Sequence, residues 1–169
     1  MVIYFTSGTD QETETTTILD HLRERLSSSS ASFHATEIPC PTCNHQTTSD
    51  GVIASCLSCF LSGCQLCRFE YGVSIPYFLA KVRGGTCTRA SSDSAADVLH
   101  RAYILLENGF GRYDIVNNNC EDFAIYCKTG LQVDLSRQPR KGLSGQAMDI
   151  GARSDVSKVP VEKLIAEMK

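Results

Sequence analysis

The stretch that decides the fold is NNNCEDFAIYCKTG, residues 117–130. The three asparagines predict a polar turn, and Asn119 is a preferred N-cap residue that an acidic first turn follows. A cation in the last turn and Gly130 directly after it predict where the helix ends. Apolar residues at i, i+3, i+4 and i+7 predict one inner face, made of Cys120, Phe123, Ala124 and Cys127. Both the helix and its inner face are therefore expected to begin at Cys120.

The predicted position of Cys120 has chemical consequences. Backbone N–H groups and the positive end of the helix dipole favour a thiolate, which is the nucleophilic form of cysteine. Glu121 and Asp122 oppose this effect, because nearby negative charge disfavours a second anion. The alternative is that Cys120 is a small buried apolar residue, as free cysteines usually are. A catalytic cysteine also needs a base.

Length and composition limit the possible functions. The chain has 169 residues, enough for one domain, and a net charge of −3, which gives no basic surface for nucleic acid. It contains no apolar run of the roughly 20 residues that a membrane-spanning helix needs. The N-terminus lacks the pattern of a secretory signal, which predicts an intracellular, cytoplasmic protein. Nine cysteines cannot all pair, and without a signal peptide they favour metal ligands or free thiols.

Two spaced cysteine pairs form the second informative motif. Cys40-Pro41-Thr42-Cys43 and Cys56-Leu57-Ser58-Cys59 are separated by twelve residues, a compact zinc-ribbon-like spacing. We expect Cys40, Cys43, Cys56 and Cys59 to hold one structural zinc ion (Zn²⁺) in a closed site. The alternative is four free cysteines in a loop. A third pair, Cys64 and Cys67, competes for the same ion.

Three stretches resemble a known family. They are NNCEDFAIYCKTG, FEYGVSIPYFLAKVRGGTCT and LHRAYILLENGFGRYDI. Together they resemble the LRAT-type, or NC, domain of the NlpC/P60 papain-like superfamily, and in particular plant proteins of the lead-sensitive type. The resemblance covers most of residues 1–133 and recurs more weakly at 149–165. It implies an α+β, papain-like fold: an antiparallel sheet with packed helices and an inserted zinc-ribbon-like loop. In such relatives the first two cysteine pairs are present and the third is not.

The resemblance also assigns roles to residues. In LRAT-type domains a cysteine nucleophile follows two histidines on consecutive strands, the first acting as general base and the second polarising it. Cys120 matches the nucleophile, and Tyr4 in Val2-Ile3-Tyr4-Phe5 stands at the position of the polarising histidine. The strand with the base would lie before Met1, so we expect an N-terminally truncated domain. None of the chain's histidines is a natural substitute; they are His21, His34, His45 and His100.

Three functions remain open at this point. The first is a non-catalytic LRAT-domain protein that binds protein or lipid partners, which the sequence does not identify. The second is a cysteine-dependent acyltransferase or phospholipid acyl hydrolase, working through an acyl-thioester on Cys120. The third makes residues 38–68 a redox or metal sensor that uses Cys64 and Cys67.

Periodicity and turn residues predict the organisation of the chain. Residues 1–135 are expected to form an incomplete LRAT/NC domain with the cysteine-rich insertion at 38–68, followed by a linker at 136–152 and a short C-terminal helix within 153–169. Helices are also predicted at 15–26 and 91–108, the latter with Val98, Leu99, Ala102, Leu105 and Leu106 inward and His100 outward. Strands are predicted at 2–5, 69–71, 77–79, 86–88 and 113–116.

Overall fold

The computed structural model describes residues 1–7, 40–44, 50–80, 87–114, 118–133 and 154–168. The elements in chain order are β1 (Val2–Ser7), β2 (Asp50–Ser55), α1 (Leu57–Leu61), α2 (Ile75–Ala80), α3 (Ala95–Asn108), α4 (Cys120–Thr129), β3 (Leu131–Val133), β4 (Val156–Lys158) and α5 (Val161–Met168). Helices and two small antiparallel sheets make up this part of the chain, which confirms the α+β class. Among the residues that the structure describes, no helix has the length and apolar content needed to cross a bilayer.

The first sheet is a pair of strands that are distant in sequence. β1 pairs antiparallel with β2 in a register that runs from Val2 opposite Ser55 to Ser7 opposite Asp50. The sequence predicts β1 but not β2, because residues 44–51 have the composition of a loop between two cysteine pairs. Strand β2 begins at Asp50, inside the cysteine-rich insertion. The insertion is therefore joined to the N-terminal strand by a continuous hydrogen-bonded ladder.

The hydrophobic core lies between β1 and three helices. Phe5 is 2% exposed, and its ring centroid lies 5.5 Å from that of Phe110, 5.1 Å from that of Tyr113 and 6.3 Å from that of Phe123. Helices α3, α4 and α5 contribute the remaining buried side chains of this cluster: Ala102, Leu105, Tyr126, Cys127, Val161 and Leu164. The N-terminal strand and the helix that begins at Cys120 thus share one core.

Helix α4 has both predicted caps. Asn119 and Asp122 form a reciprocal capping box, and Gly130 ends the helix at φ 68° with its N–H donating to the carbonyl of Tyr126. The predicted inner face is partly wrong, because Cys120 and Ala124 are exposed. The helix is enclosed on a second side by Ile125, which packs with Val133 of β3. Cys127, at i+7 on the same side of the helix as Cys120, is buried, so the predicted face is covered toward its end and open at its start.

Other local predictions need correction. The strand predicted at 77–79 is wrong, because these residues lie in α2. Pro76 is tolerated in the first turn of this helix. The Ser74 hydroxyl caps the turn by accepting from the N–H of Tyr77 at 3.4 Å. The strands predicted at 69–71 and 86–88 reduce to one bridge between Glu70 and Cys87. Helix α3 ends before Gly109 as predicted, but Leu99 on its predicted inner face is 53% exposed.

Several predictions fall outside the described residues. These are the helix at 15–26, the linker at 136–152 and the positions of His21, His34 and His45. The final helix is present as α5, with Val161 and Leu164 buried. The division of the chain at 135 and 152 stays a prediction.

A charged cluster joins α3 to the end of α4. The Arg101 guanidinium pairs with the Asp93 carboxylate, donates to the carbonyl of Cys127 at 2.7 Å and lies 3.1 Å from where a Cβ on Gly130 would stand. Burial would raise the pKa of Asp93, but the ammonium of Lys158 and the Arg101 guanidinium outweigh it and lower that pKa. The cluster therefore depends on a charged Asp93.

We expect Arg101→Ala to lower the free energy of unfolding by about 2–3 kcal/mol, because it leaves the carbonyl of Cys127 without its side-chain donor and removes one of the two cations paired with Asp93. Urea unfolding followed by circular dichroism measures the loss. Arg112→Ala, at an exposed position, is the control and should stay within about 0.5 kcal/mol of the wild type. Equal, small effects in both variants would contradict a structural role for the cluster.

Candidate functional site

The asparagine turn presents Cys120 at the start of α4. The Asn118 side-chain amide donates to the carbonyls of Phe110 at 2.7 Å and Arg112 at 2.9 Å. The Asn119 side-chain oxygen accepts from the backbone N–H of Glu121 at 2.8 Å and from that of Asp122 at 3.2 Å. These bonds tie the first helical turn to the segment before it. They hold Cys120 in an exposed position.

Cys120 has a phenol as a polar neighbour, and two carboxyl groups follow it in the first turn of the helix. Tyr113 makes a side-chain hydrogen bond with Cys120, and burial together with the charge of Cys120 raises the pKa of Tyr113. Burial and the neighbouring Asp122 carboxylate raise the pKa of Glu121. Sequence reasoning assigned Tyr113 only to a strand. The sequence signal that could have identified Tyr113 as a neighbour of Cys120 is its place just before the asparagine turn.

Among the described residues, His100 is the one histidine. It lies on the exposed face of α3, as predicted, with its Nε2 3.4 Å from Oε1 of Glu162 on α5. The expectation that this chain supplies no histidine base for Cys120 therefore stays a prediction.

The second cysteine of α4 contrasts with the first. Cys127 is buried in the core, and burial raises its pKa to about 12, against the opposing charge of Arg101. A thiol with such a pKa is neutral and unreactive at physiological pH. Of these two cysteines, Cys120 is the one open to chemistry.

The four predicted zinc ligands come together in the structure. The sulfur atoms of Cys40, Cys43, Cys56 and Cys59 all lie within 4.8 Å of one another. Zinc–sulfur bonds of about 2.3 Å in a tetrahedron place sulfurs about 3.8 Å apart. The Cys43 and Cys59 sulfurs are 3.8 Å apart. An all-sulfur donor set with this spacing fits a structural Zn²⁺ ion.

Local backbone geometry arranges each pair. In the first, the N–H of Asn44 donates to the carbonyl of Cys40 at 2.7 Å. Hydrogen bonds from the backbone at Thr42 and Cys43 lower the pKa of Cys40 to about 6. A metal site requires thiolates, so such bonds favour ligation.

The second cysteine pair lies at the start of helix α1. The Cys56 sulfur caps this helix and accepts from the N–H of Cys59 at 3.5 Å, which lowers the pKa of Cys56. Cys64 and Cys67 follow α1 and are exposed. In the described part of the chain, the mutually close sulfurs are those of the first two pairs.

Tyr4 lies beside this sulfur cluster. Its ring centroid is 5.0 Å from that of Phe60, in an edge-to-face arrangement. Burial raises the pKa of Tyr4, a side-chain hydrogen bond with Ser55 opposes this, and the charges of Cys59 and other cysteines of the cluster raise it further. Its assignment to the polarising position of a catalytic site stays a prediction.

Comparison with known proteins identifies the family of this chain. The profile of the family described as lecithin retinol acyltransferase (LRAT) matches residues 2–133. The chain belongs to the LRAT family. It is 52% identical over 149 residues to Protein LEAD-SENSITIVE 1 from Arabidopsis thaliana, an alignment that covers 88% of this chain and 54% of that protein. The chain thus spans about half the length of this LRAT-family relative. No solved structure matches the chain.

Proposed function

We propose that residues 1–169 form a papain-like LRAT-family unit that holds a structural zinc ion and acts by binding protein or lipid partners rather than by catalysis. The observation that carries this proposal is the cluster of four cysteine sulfurs within 4.8 Å of one another. Membership of the family supports the papain-like architecture, and the α+β elements agree with it.

The proposed zinc site is structural because of its donor set. Four protein sulfurs complete a tetrahedron and leave no position for a catalytic water. Bound Zn²⁺ would join the turn at Cys40 and Cys43 to the start of α1 at Cys56 and Cys59. Since Cys56 directly follows β2, the ion would also anchor the end of the first sheet.

The surroundings of Cys120 support a binding role for this chain. A cysteine nucleophile needs a base, and the described groups near it include the Tyr113 phenol and the first-turn carboxyl groups of Glu121 and Asp122. A phenol stays protonated at neutral pH, and a carboxylate is a weak base toward a thiol. General-base assistance contributes a factor of about 10² to 10⁴ in rate. Without it we expect little turnover.

A second candidate function is a thiol acyltransferase or phospholipid acyl hydrolase. The exposed position of Cys120 at the first turn of α4 favours it, because backbone N–H groups there stabilise developing negative charge. In that case an acyl group would pass from a lipid donor to the Cys120 sulfur and then to an amine, an alcohol or water.

Alkylation of Cys120 separates the two functions. We expect iodoacetamide at neutral pH to label Cys120 no faster than a free model thiol, because the proposal gives the sulfur no activating base. Peptide mass spectrometry resolves Cys120 from the other exposed cysteines, Cys64 and Cys67, and buried Cys127 is an internal control that should stay unlabelled. Selective labelling of Cys120 at least about tenfold faster than the model thiol would favour the enzyme.

A further inference from the structure

Strand β1 carries a tyrosine on the face opposite the core. Successive side chains of a strand point to opposite faces. Ile3 and Phe5 belong to the hydrophobic core, so Tyr4 between them faces the other way. On that side its ring meets Phe60 of α1 edge to face, at an interplanar angle of 64°. Phe60 directly follows the proposed ligand Cys59.

The hydroxyl end of Tyr4 also leads to a proposed ligand. Tyr4 makes a side-chain hydrogen bond with Ser55, which is 1% exposed. The Ser55 hydroxyl in turn donates to the carbonyl of Cys56 at 3.1 Å. Two contacts of Tyr4 therefore lead toward the second cysteine pair: its ring meets Phe60, the residue after Cys59, and its hydroxyl connects through Ser55 to the carbonyl of Cys56.

We propose that Tyr4 is a positioning residue of the four-cysteine metal centre, holding the Cys56–Cys59 turn in its ligating geometry through Ser55 and Phe60. The inference rests on the proposed zinc site. Groups that orient metal ligands from outside typically change metal affinity by about 10- to 100-fold when they are removed. The proposal gives Tyr4 a role at the metal, different from the role at Cys120 that family resemblance implies for its position.

The test compares zinc release from the full 169-residue chain loaded with zinc. We expect Tyr4→Phe and Ser55→Ala each to release zinc to a chromogenic chelator about tenfold faster than the wild type. Because both substitutions break the same hydrogen-bonded path, the double variant should release zinc no faster than the faster single variant. The Co²⁺-substituted Tyr4→Phe protein should show a shifted visible absorption spectrum, which a loss of packing elsewhere would not produce. Tyr103→Phe, at an exposed tyrosine of α3, is the matched control and should behave as wild type.

Release by Tyr4→Phe that is less than about threefold faster than wild type would overturn the inference, and a larger increase supports it. The inference would also be overturned if the increases in zinc-release rate of the two single variants multiplied in the double variant. Faster acylation of Cys120 in Tyr4→His would overturn it too, because it would place residue 4 at the thiol site. A wild-type chain that binds no zinc would instead overturn the metal site itself.

Discussion

Cys56→Ser and Cys59→Ser are each expected to abolish stoichiometric zinc binding and to unfold helix α1 and the turn at Cys40 and Cys43. Three thiols leave the site open, and the binding free energy of structural zinc is large, about 10–16 kcal/mol in zinc-finger peptides at neutral pH. Helix α1 has no buried residue, so the ion is expected to be a main source of order for this region, whereas β1 is also held by the core through Phe5. Zinc per chain by elemental analysis and thermal unfolding by circular dichroism measure both effects.

Cys64→Ser provides the matched control for these variants. Cys64 is exposed and follows the same short helix, so its loss should leave zinc content and melting temperature unchanged. Full zinc retention in Cys56→Ser would contradict the four-ligand site. Loss of zinc in Cys64→Ser would show that the third cysteine pair takes part in ligation.

Phe5→Ala is expected to lower the free energy of unfolding by about 3–5 kcal/mol. The substitution leaves a cavity where Phe5 now contacts the rings of Phe110, Tyr113 and Phe123. Domains are typically stable by about 5–15 kcal/mol, so much of the total would be lost. Urea unfolding of the zinc-loaded protein measures this loss in the free energy of unfolding.

Tyr103→Ala is the control for the aromatic deletion. Tyr103 is 47% exposed on α3, so its removal should change the free energy of unfolding by no more than about 0.5 kcal/mol. A loss below about 1 kcal/mol in Phe5→Ala would contradict the core as described, and with it the packing of β1 against the helix of Cys120.

Elements with local signals were predictable from the sequence. Helix α4 has an N-cap, an acidic first turn and a C-terminal glycine, and both its ends match the structure. The four proposed metal ligands were predictable for the same reason. A spacing of two residues between paired cysteines is a local signal, because it lets both sulfurs reach one ion.

Features that depend on tertiary packing were not predictable. Strand β2 is stabilised by pairing with β1, about 50 residues earlier in the chain, which no local window contains. The exposure of Cys120 does not follow from its helical face alone, because Cys127 at i+7 on the same side of α4 is buried. The neighbours of Tyr4 and Tyr113 depend on which face of each segment is covered. The chemistry around both proposed sites therefore had to come from the structure.

The most direct measurement is a rapid-mixing assay of the zinc-loaded chain with an activated acyl ester, alongside Cys120→Ser. We predict no burst of product and a steady rate equal to that of the Cys120→Ser variant. A burst of one equivalent per chain, an acyl group located on Cys120 by mass spectrometry and continued turnover that Cys120→Ser lacks would contradict the proposal that this chain acts by binding.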